Sequence, residues 1–367
     1  MIFKIIFFKG KNSFYVKIFS DSFSSITFKV FTIYNIRSIK KLSSKWIESF
    51  LMERQQRVCI GNCASGYQNV ISGVPQGGVL SGLLFSLYIN DLPLYVKNVK
   101  ISLYADDAKL YSAIKNQISI NEMQEDLNRM MKWCTDWRLT LNPRKCYQVQ
   151  YNPRAVSRQF NPVYKLGPNI ILRKQQVRDL GIIISENMKY HDQVDEVCKR
   201  AVREINRIRR SFVSRSPDFI GGMYKLYVRP HLEYCVEVWN PQYQGDIIKM
   251  EKVQNKMSKL MRLGHRSTPI QRNQALGITS HEMRRLRGDV INMYKHIDNE
   301  EMFNLRHSDR TRGHAKMLAM PRSSCNIKSH SFSMRSLRFW NSLPGYIVES
   351  PNLNALKRNI DEYLYNL

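Results

Sequence analysis

Apolar and polar positions along this chain fall into three kinds of pattern, and each predicts an element. Two short alternating runs, residues 101–103 and 108–111, flank Tyr104, Ala105, Asp106 and Asp107 and read as the two strands of a hairpin. An unbroken apolar run from Val79 to Ile89 follows a glycine-proline turn and stops at Asn90, Asp91 and Pro93, which predicts a core helix. Helical periodicity takes over further on. Within residues 198–212, Cys198, Ala201, Val202, Ile205, Ile208 and Phe212 share one face. Within residues 247–263, Ile247, Met250, Val253, Met257, Leu260 and Met261 do the same, and Gly264 supplies a stop. Residues 306–330 are rich in Arg, Ser and His and read as a mobile loop.

The hairpin carries the first candidate chemistry. Two neighbouring carboxylates at a strand turn are tolerated best when a divalent cation sits between them. Asp-Asp is also ordinary turn chemistry, because Asp bonds its own backbone and accepts unusual angles. The hairpin by itself therefore reads equally as a surface turn. Upstream, Gly73, Val74, Pro75, Gln76, Gly77 and Gly78 form a stiff loop in which Gln76 is the one polar side chain. Bare glycines allow a ligand close to the backbone while Gln76 bonds a base edge or sugar. The competing reading is a tight turn that merely starts a helix, and the pairing of loop with acidic hairpin weighs against it.

These two motifs carry a family resemblance. The stretch SGVPQGGVLSGLLFSLYINDLP followed by YADDAKLY resembles the palm of reverse transcriptases, in particular those of jockey-like non-LTR retrotransposons. The resemblance continues through WCTDWRLTLNPRKCYQVQY, a further palm motif, and QVRDLGIIISENMKYHDQV, which is similar to the strand pair that grips a primer end. LYVRPHLEYCVEVWNP and SMRSLRFWNSLP resemble the thumb and C-terminal region, so that the likeness spans about residues 34–367. It implies an α+β fold, a partial right-hand fingers and palm with a mostly helical thumb. The implied segments are 34–150 for fingers and palm, 151–195 for the palm end with primer-grip-like strands, and 196–367 for thumb and C-terminal region.

The implied activity is RNA-directed DNA synthesis at two Mg²⁺ ions, one activating the primer 3′-hydroxyl and one neutralising the triphosphate. Asp106 and Asp107 would be the catalytic metal ligands. Pro75, Gln76, Gly77, Tyr104, Ala105, Asn142 and Lys145 would contact template or nucleotide. The implied partners are an RNA template with a DNA primer, or their hybrid, and deoxynucleoside triphosphates.

The family's pattern breaks at its beginning. A further metal-binding Asp belongs to an earlier strand, in a motif ending Ala-Phe-Asp, and no Ala-Phe-Asp occurs in this chain. Residues 1–33 hold half of the chain's 16 Phe, one Gly and no Pro, and read as an unrelated or mis-joined segment. Asp21 there lacks the expected context and reads as a solvated turn residue. The expectation is an incomplete metal site, and an acidic hairpin left with an exposed edge where the central strand is missing. Ser81 and Gly82, standing where the family has Gly and Pro, are expected to loosen the helix start.

Charge adds a partner class. With 57 Lys and Arg against 30 Asp and Glu, net charge +27 and pI about 9.9, the chain favours a polyanion. Lys199, Arg200, Arg203, Arg207 and Arg210 gather opposite the apolar face of the first long helix. Lys252, Lys256 and Lys259, with Lys249 and Arg262, do so on the second. A solvated face is the plain reading of one such stripe; two of them after a palm-like segment point to nucleic-acid backbone contact.

Other classes are excluded. The seven cysteines show no CxxC spacing, which argues for thiols in a reducing compartment, and His281-Glu282 lacks a second His at protease spacing. The longest apolar run is too short to span a bilayer, and the apolar core Ile5 to Phe8 is too short for a signal peptide. An intracellular protein of nucleus or cytoplasm is expected. The contrasting function is a catalytically dead remnant that clamps RNA or RNA/DNA hybrid; an intron maturase is disfavoured by the RFWNSLP segment.

Overall fold

Five strands join into one sheet in the order Leu172–Arg173, Cys146–Tyr151, Phe3–Phe8, Asp107–Ala113, Lys100–Tyr104. The structure is a computed structural model and describes residues 3–8, 41–70, 73–151, 161–261, 267–297, 314–322 and 326–365. It divides into two units, residues 1–177 and 178–367, a boundary that falls inside the predicted 151–195 segment. Helices and strands are mixed, as an α+β class requires.

The sheet of the first unit overturns one expectation. Phe3–Phe8 runs antiparallel to both neighbours, with Phe3 opposite Ala113 and Tyr151 and Phe8 opposite Ala108 and Cys146. The acidic hairpin therefore has a partner where an exposed edge was expected. Backbone N–H and C=O groups of two strands cannot be left facing a gap, and this mostly apolar hexapeptide is able to pair with both.

The core beneath the sheet is built on two helices. Gln117–Asp136 starts at Asn116, whose side chain accepts the Ser119 N–H while Ser119 bonds back to Asn116, a reciprocal cap. It then buries Met123, Leu127, Met130, Trp133 and Cys134 at helical spacing, against Leu110 of the hairpin and Phe85, Tyr88 and Ile89 of the second helix. That second helix is Val79–Ile89, the span predicted, with Asn90 at its end. Its other half packs Leu84 against Ile47 and Leu51 of Lys41–Leu51. The Cys134 and Cys146 thiols are buried, which pushes each up to about 12 and keeps them protonated.

The second unit is mostly helical. His191–Ser211 and Gln244–Ser258 pack through Val194, Val197, Ala201, Ile205 and Ile208 on one and Met250, Val253 and Met257 on the other. Both pairs of boundaries differ from the prediction. The first helix begins seven residues before 198, because Val194 and Val197 continue its apolar face. The second ends at Ser258, where Lys259 N–H bonds both Asn255 and Met257 carbonyls and tightens the last turn; Arg262 and Gly264 lie outside the described residues.

Between these helices Pro217–Met223 leads into a π-turn, Tyr224–Val228, and then Arg229–Glu233. Pro230 has no N–H and its ring would strike the carbonyl four residues back, so the helix widens there instead of breaking. A separate core gathers Trp340, Leu337, Ile347, Leu356 and Ile360 around Val290 and Met293. Leu318 is 1% exposed in that core and its N–H bonds Asn341 Oδ1 at 3.0 Å, while residues 326–329 form a helical turn. Within the described parts of the predicted mobile loop Leu318 is thus packed, while Met320 and most of the residues around it stay exposed.

One buried carboxylate sets the position of the acidic hairpin. Asp126 accepts the N–H of Lys97 at 3.0 Å, Asn98 at 2.7 Å and Val99 at 2.8 Å, and Nη1 of Arg129 at 2.6 Å. Lys97 to Val99 lead directly into the first hairpin strand. Burial pushes the Asp126 carboxyl up, but the three backbone N–H groups and Arg129 more than offset this and hold it below the usual value. The stabilisation is therefore present above the unfolded carboxyl pKa of about 4 and is lost as pH falls through the lower folded value. Asp126→Asn should cost about 3 kcal/mol at pH 7 in denaturant titration. The difference from the parent should shrink as the pH is lowered from about 5 towards 2; a constant difference over that range would exclude charge as the cause.

Candidate active site and nucleic-acid interface

The hairpin register pairs Tyr104 with Asp107, which leaves Ala105 and Asp106 as the two turn residues. Ala105 has φ 48°, a left-handed conformation that costs a non-glycine residue about 1 kcal/mol. Of the two carboxylates only Asp106 lies at the tip, where it is exposed. Asp107 is the first residue of the second strand, half-buried, with Oδ1 inaccessible to solvent. The two carboxylates are thus adjacent in sequence but differ in surroundings, a correction to the expectation that both stand at the turn. Tyr104 is 65% exposed beside them.

The same register gathers other candidates at this end of the sheet. Phe8 ends the central strand opposite Ala108 on one side and Cys146 on the other, and Lys145 immediately precedes Cys146. Asn142 serves the local backbone. Its Oδ1 accepts the Arg144 N–H at 3.1 Å, starting the turn Pro143–Lys145, and its carbonyl accepts the Cys146 thiol at 3.2 Å. Asn142 therefore positions Lys145 at the head of the strand, a role that the motif alone did not reveal.

The glycine-proline loop is fixed from both sides. Gly73 (φ 76°) presents its carbonyl to Arg54 Nη2 at 2.6 Å, and Arg54 Nε also bonds Leu51 O at 2.9 Å. Gly77 has φ 77°. The Ser81 hydroxyl donates to the Pro75 carbonyl and lies 2.8 Å from where a Cβ on Gly78 would stand. Ser81 thereby ties the loop to the helix it was expected to loosen, and Gln76 is left exposed with the polar end of the loop. The helix Val79–Ile89 then carries the loop on the same core that supports the hairpin.

These residues do not fit a complete two-metal centre. Two Mg²⁺ ions about 3.5–4 Å apart need a carboxylate from a second strand. The central strand reads Phe-Lys-Ile-Ile-Phe-Phe and supplies none. Among the described residues no three carboxylate, imidazole or thiol side chains gather. Asp21 lies outside the described residues.

The basic stripes of the second unit divide into engaged and unengaged cations. Arg200 Nε bonds Glu196 at 2.8 Å and Arg207 Nη1 bonds Glu204 at 3.0 Å, both on their own helix. Lys249 is drawn to Asp195 at 2.7 Å and leaves the stripe. Lys199, Arg203, Arg210, Lys252, Lys256 and Lys259 are exposed and make no ion pair with a described residue. The two helices run side by side from a shared start, where His191 Nδ1 meets Asp246 at 2.5 Å.

His281 proves structural. It is 1% exposed at the start of the helix His281–His296, with Nε2 2.9 Å from the Tyr224 hydroxyl, which in turn donates to Gln254 at 2.8 Å. Burial, with Arg285, Arg284 and Arg229 nearby, pushes its pKa down to about 3 and keeps it neutral.

A reverse transcriptase (RNA-dependent DNA polymerase) family model matches residues 11–184, beginning inside the segment that sequence reading set apart as 1–33. The RNA-directed DNA polymerase of the mobile element jockey from Drosophila melanogaster is 25% identical over 221 residues, 57% of this chain and 24% of that protein. The probable RNA-directed DNA polymerases of transposons BS and X-element, from the same fly, are 25% and 24% identical over similar lengths. The chain spans about a quarter of the length of these curated relatives, each matched over 24% of its own length. The matched residues include the acidic hairpin and the glycine-proline loop, so the chain carries a reverse transcriptase domain and is similar over 57–59% of its length to the RNA-directed DNA polymerases of jockey and related transposons.

Proposed function

We propose that this segment descends from an RNA-directed DNA polymerase and holds an RNA/DNA hybrid without extending it. The first unit is read as the palm with part of the fingers, and the second as the thumb and C-terminal region. Pro75, Gln76 and Gly77 face template and nucleotide, Tyr104 and Ala105 flank the acidic tip, and Lys145 is a cation for phosphates. The hairpin formed by Gln176–Asp179 and Ile182–Ser185 meets the primer end. Mg²⁺ bound at Asp106 and Asp107 would supply Lewis-acid chemistry, but without a second-strand carboxylate the ions are under-ligated, and Mg²⁺ demands near-octahedral geometry.

The observation that carries this reading is the central strand. Phe3–Phe8 fills the place between the hairpin and Cys146–Tyr151 and brings no acid to it. That strand completes the sheet, and among the described residues no further acid joins Asp106 and Asp107, which supports the reading. Affinity then rests on cations that track the phosphate backbone, which Lys199, Arg203, Lys252 and Lys256, exposed and without a carboxylate partner among the described residues, are placed to do. A nuclear or cytoplasmic location follows from this partner class.

Two measurements test the reading. Primer extension on an RNA template with Mg²⁺ and deoxynucleotides, run beside Asp106→Asn, should give no product from either protein; product from the parent that the variant loses would establish a living polymerase. Hybrid affinity should fall steeply with salt. Replacing Arg203 and Lys256 by Gln should lower the slope of log K against log salt by about 1.5. An unaltered slope would take both helices out of the interface.

A further inference from the structure

Near the start of the second unit one tyrosine holds a hairpin turn in a strained shape. Strands Gln176–Asp179 and Ile182–Ser185 are joined by Leu180 and Gly181 alone, with φ 44° and 90°. Positive φ at both central residues is the tight hairpin turn that asparagine and glycine normally occupy, so Leu180 is a steric outlier. Such a conformation persists only where its surroundings over-determine it.

Those surroundings are visible. The Tyr234 hydroxyl donates to the Leu180 carbonyl at 3.0 Å. Its ring lies so close over Gly181 that a Cβ there would meet Cε1 at 3.1 Å. Tyr234 is itself fixed from behind: its carbonyl accepts Nε1 of Trp239, a fully buried residue, at 2.9 Å, and the next residue, Cys235, turns left-handed at φ 49°. The body of the hairpin is anchored separately to the long helix, through Ile183 N–H to Gln193 at 2.9 Å and the Ser185 hydroxyl to Asp192 at 2.7 Å. Tyr234 is nevertheless 55% exposed, so core packing alone does not explain its placement.

We infer that Tyr234 is a positioning residue that locks the Leu180–Gly181 turn in the one conformation able to receive the end of a primer strand. This rests on the proposed reading of the hairpin as the primer-end contact and adds the residue that holds its tip. Tyr234 touches the turn, not the nucleic acid, and acts by removing the alternative turn conformations that Leu180 would otherwise prefer. Binding to an end then finds the site already formed.

The test has two arms. In the free 367-residue chain, amide hydrogen exchange across residues 176–185 should rise about tenfold in Tyr234→Phe, the weight of one lost hydrogen bond, while exchange in Val194 to Ile208 stays unchanged. Gly181→Ala, which pushes the turn off the ring, should do the same, and the double variant should add little more. In the second arm, the parent should bind an RNA/DNA hybrid with a recessed 3′ end more tightly than one closed by loops. Tyr234→Phe should lose about five- to tenfold of that preference and leave affinity for the closed hybrid as it was. Unchanged exchange would overturn the lock. A faster-exchanging turn with the end preference intact would overturn the role in end recognition. A parent that binds neither hybrid would overturn the underlying reading and this role with it, whatever the exchange shows.

Discussion

A sheet cannot keep an empty place between two strands, and the first unit is arranged around that constraint. In the sheet the acidic hairpin and the strand Cys146–Tyr151 are joined through Phe3–Phe8, which pairs with both along its whole length. Twelve backbone positions on the flanking strands find partners in six residues. Hydrogen bonding of this kind is indifferent to side-chain chemistry. A segment of the right length and β propensity can therefore restore the fold without restoring the carboxylate that catalysis requires, and this separation of fold from chemistry governs the functional reading.

Around that strand the site is assembled by groups that are not themselves reactive. Asp126 collects three consecutive N–H groups and so fixes where the first hairpin strand begins. Ser81 closes the loop on Pro75 and Asn142 sets the turn before Lys145. Within the second unit, taken by itself, Tyr234 holds the Leu180–Gly181 turn in the same manner. Each uses one or a few hydrogen bonds at a place where the backbone leaves regular structure. The reactive candidates, Asp106, Gln76 and Lys145, are by contrast exposed or half-buried.

Much of this was legible in the sequence where the signal is local. Val79–Ile89 could be bounded from its glycine-proline border and from Asn90, and the hairpin from its alternation about Asp106. The inward faces of both long basic helices followed from helical periodicity. What stayed hidden depends on distant partners. Asp126 lies 27–29 residues from the N–H groups it binds and looks like any polar helix residue. Tyr234 is 54 residues from Leu180. Phe3–Phe8 is an apolar run without alternation, a pattern shared by central strands and short buried helices, and no local cue names its neighbours. The Lys249 contact with Asp195 and the π-turn before Pro230 show the same limit, since helix periodicity gives a face but not what the face meets.

The account depends most on the central strand, and amide hydrogen exchange of residues 3–8 in the intact protein addresses it directly. Protection comparable to that of Asp107–Ala113 is the predicted result, since one ladder holds both. Exchange at free-peptide rates beside a protected Asp107–Ala113 would contradict it, because the place between the hairpin and Cys146–Tyr151 would then belong to some other segment, and the argument that no carboxylate reaches it would fall.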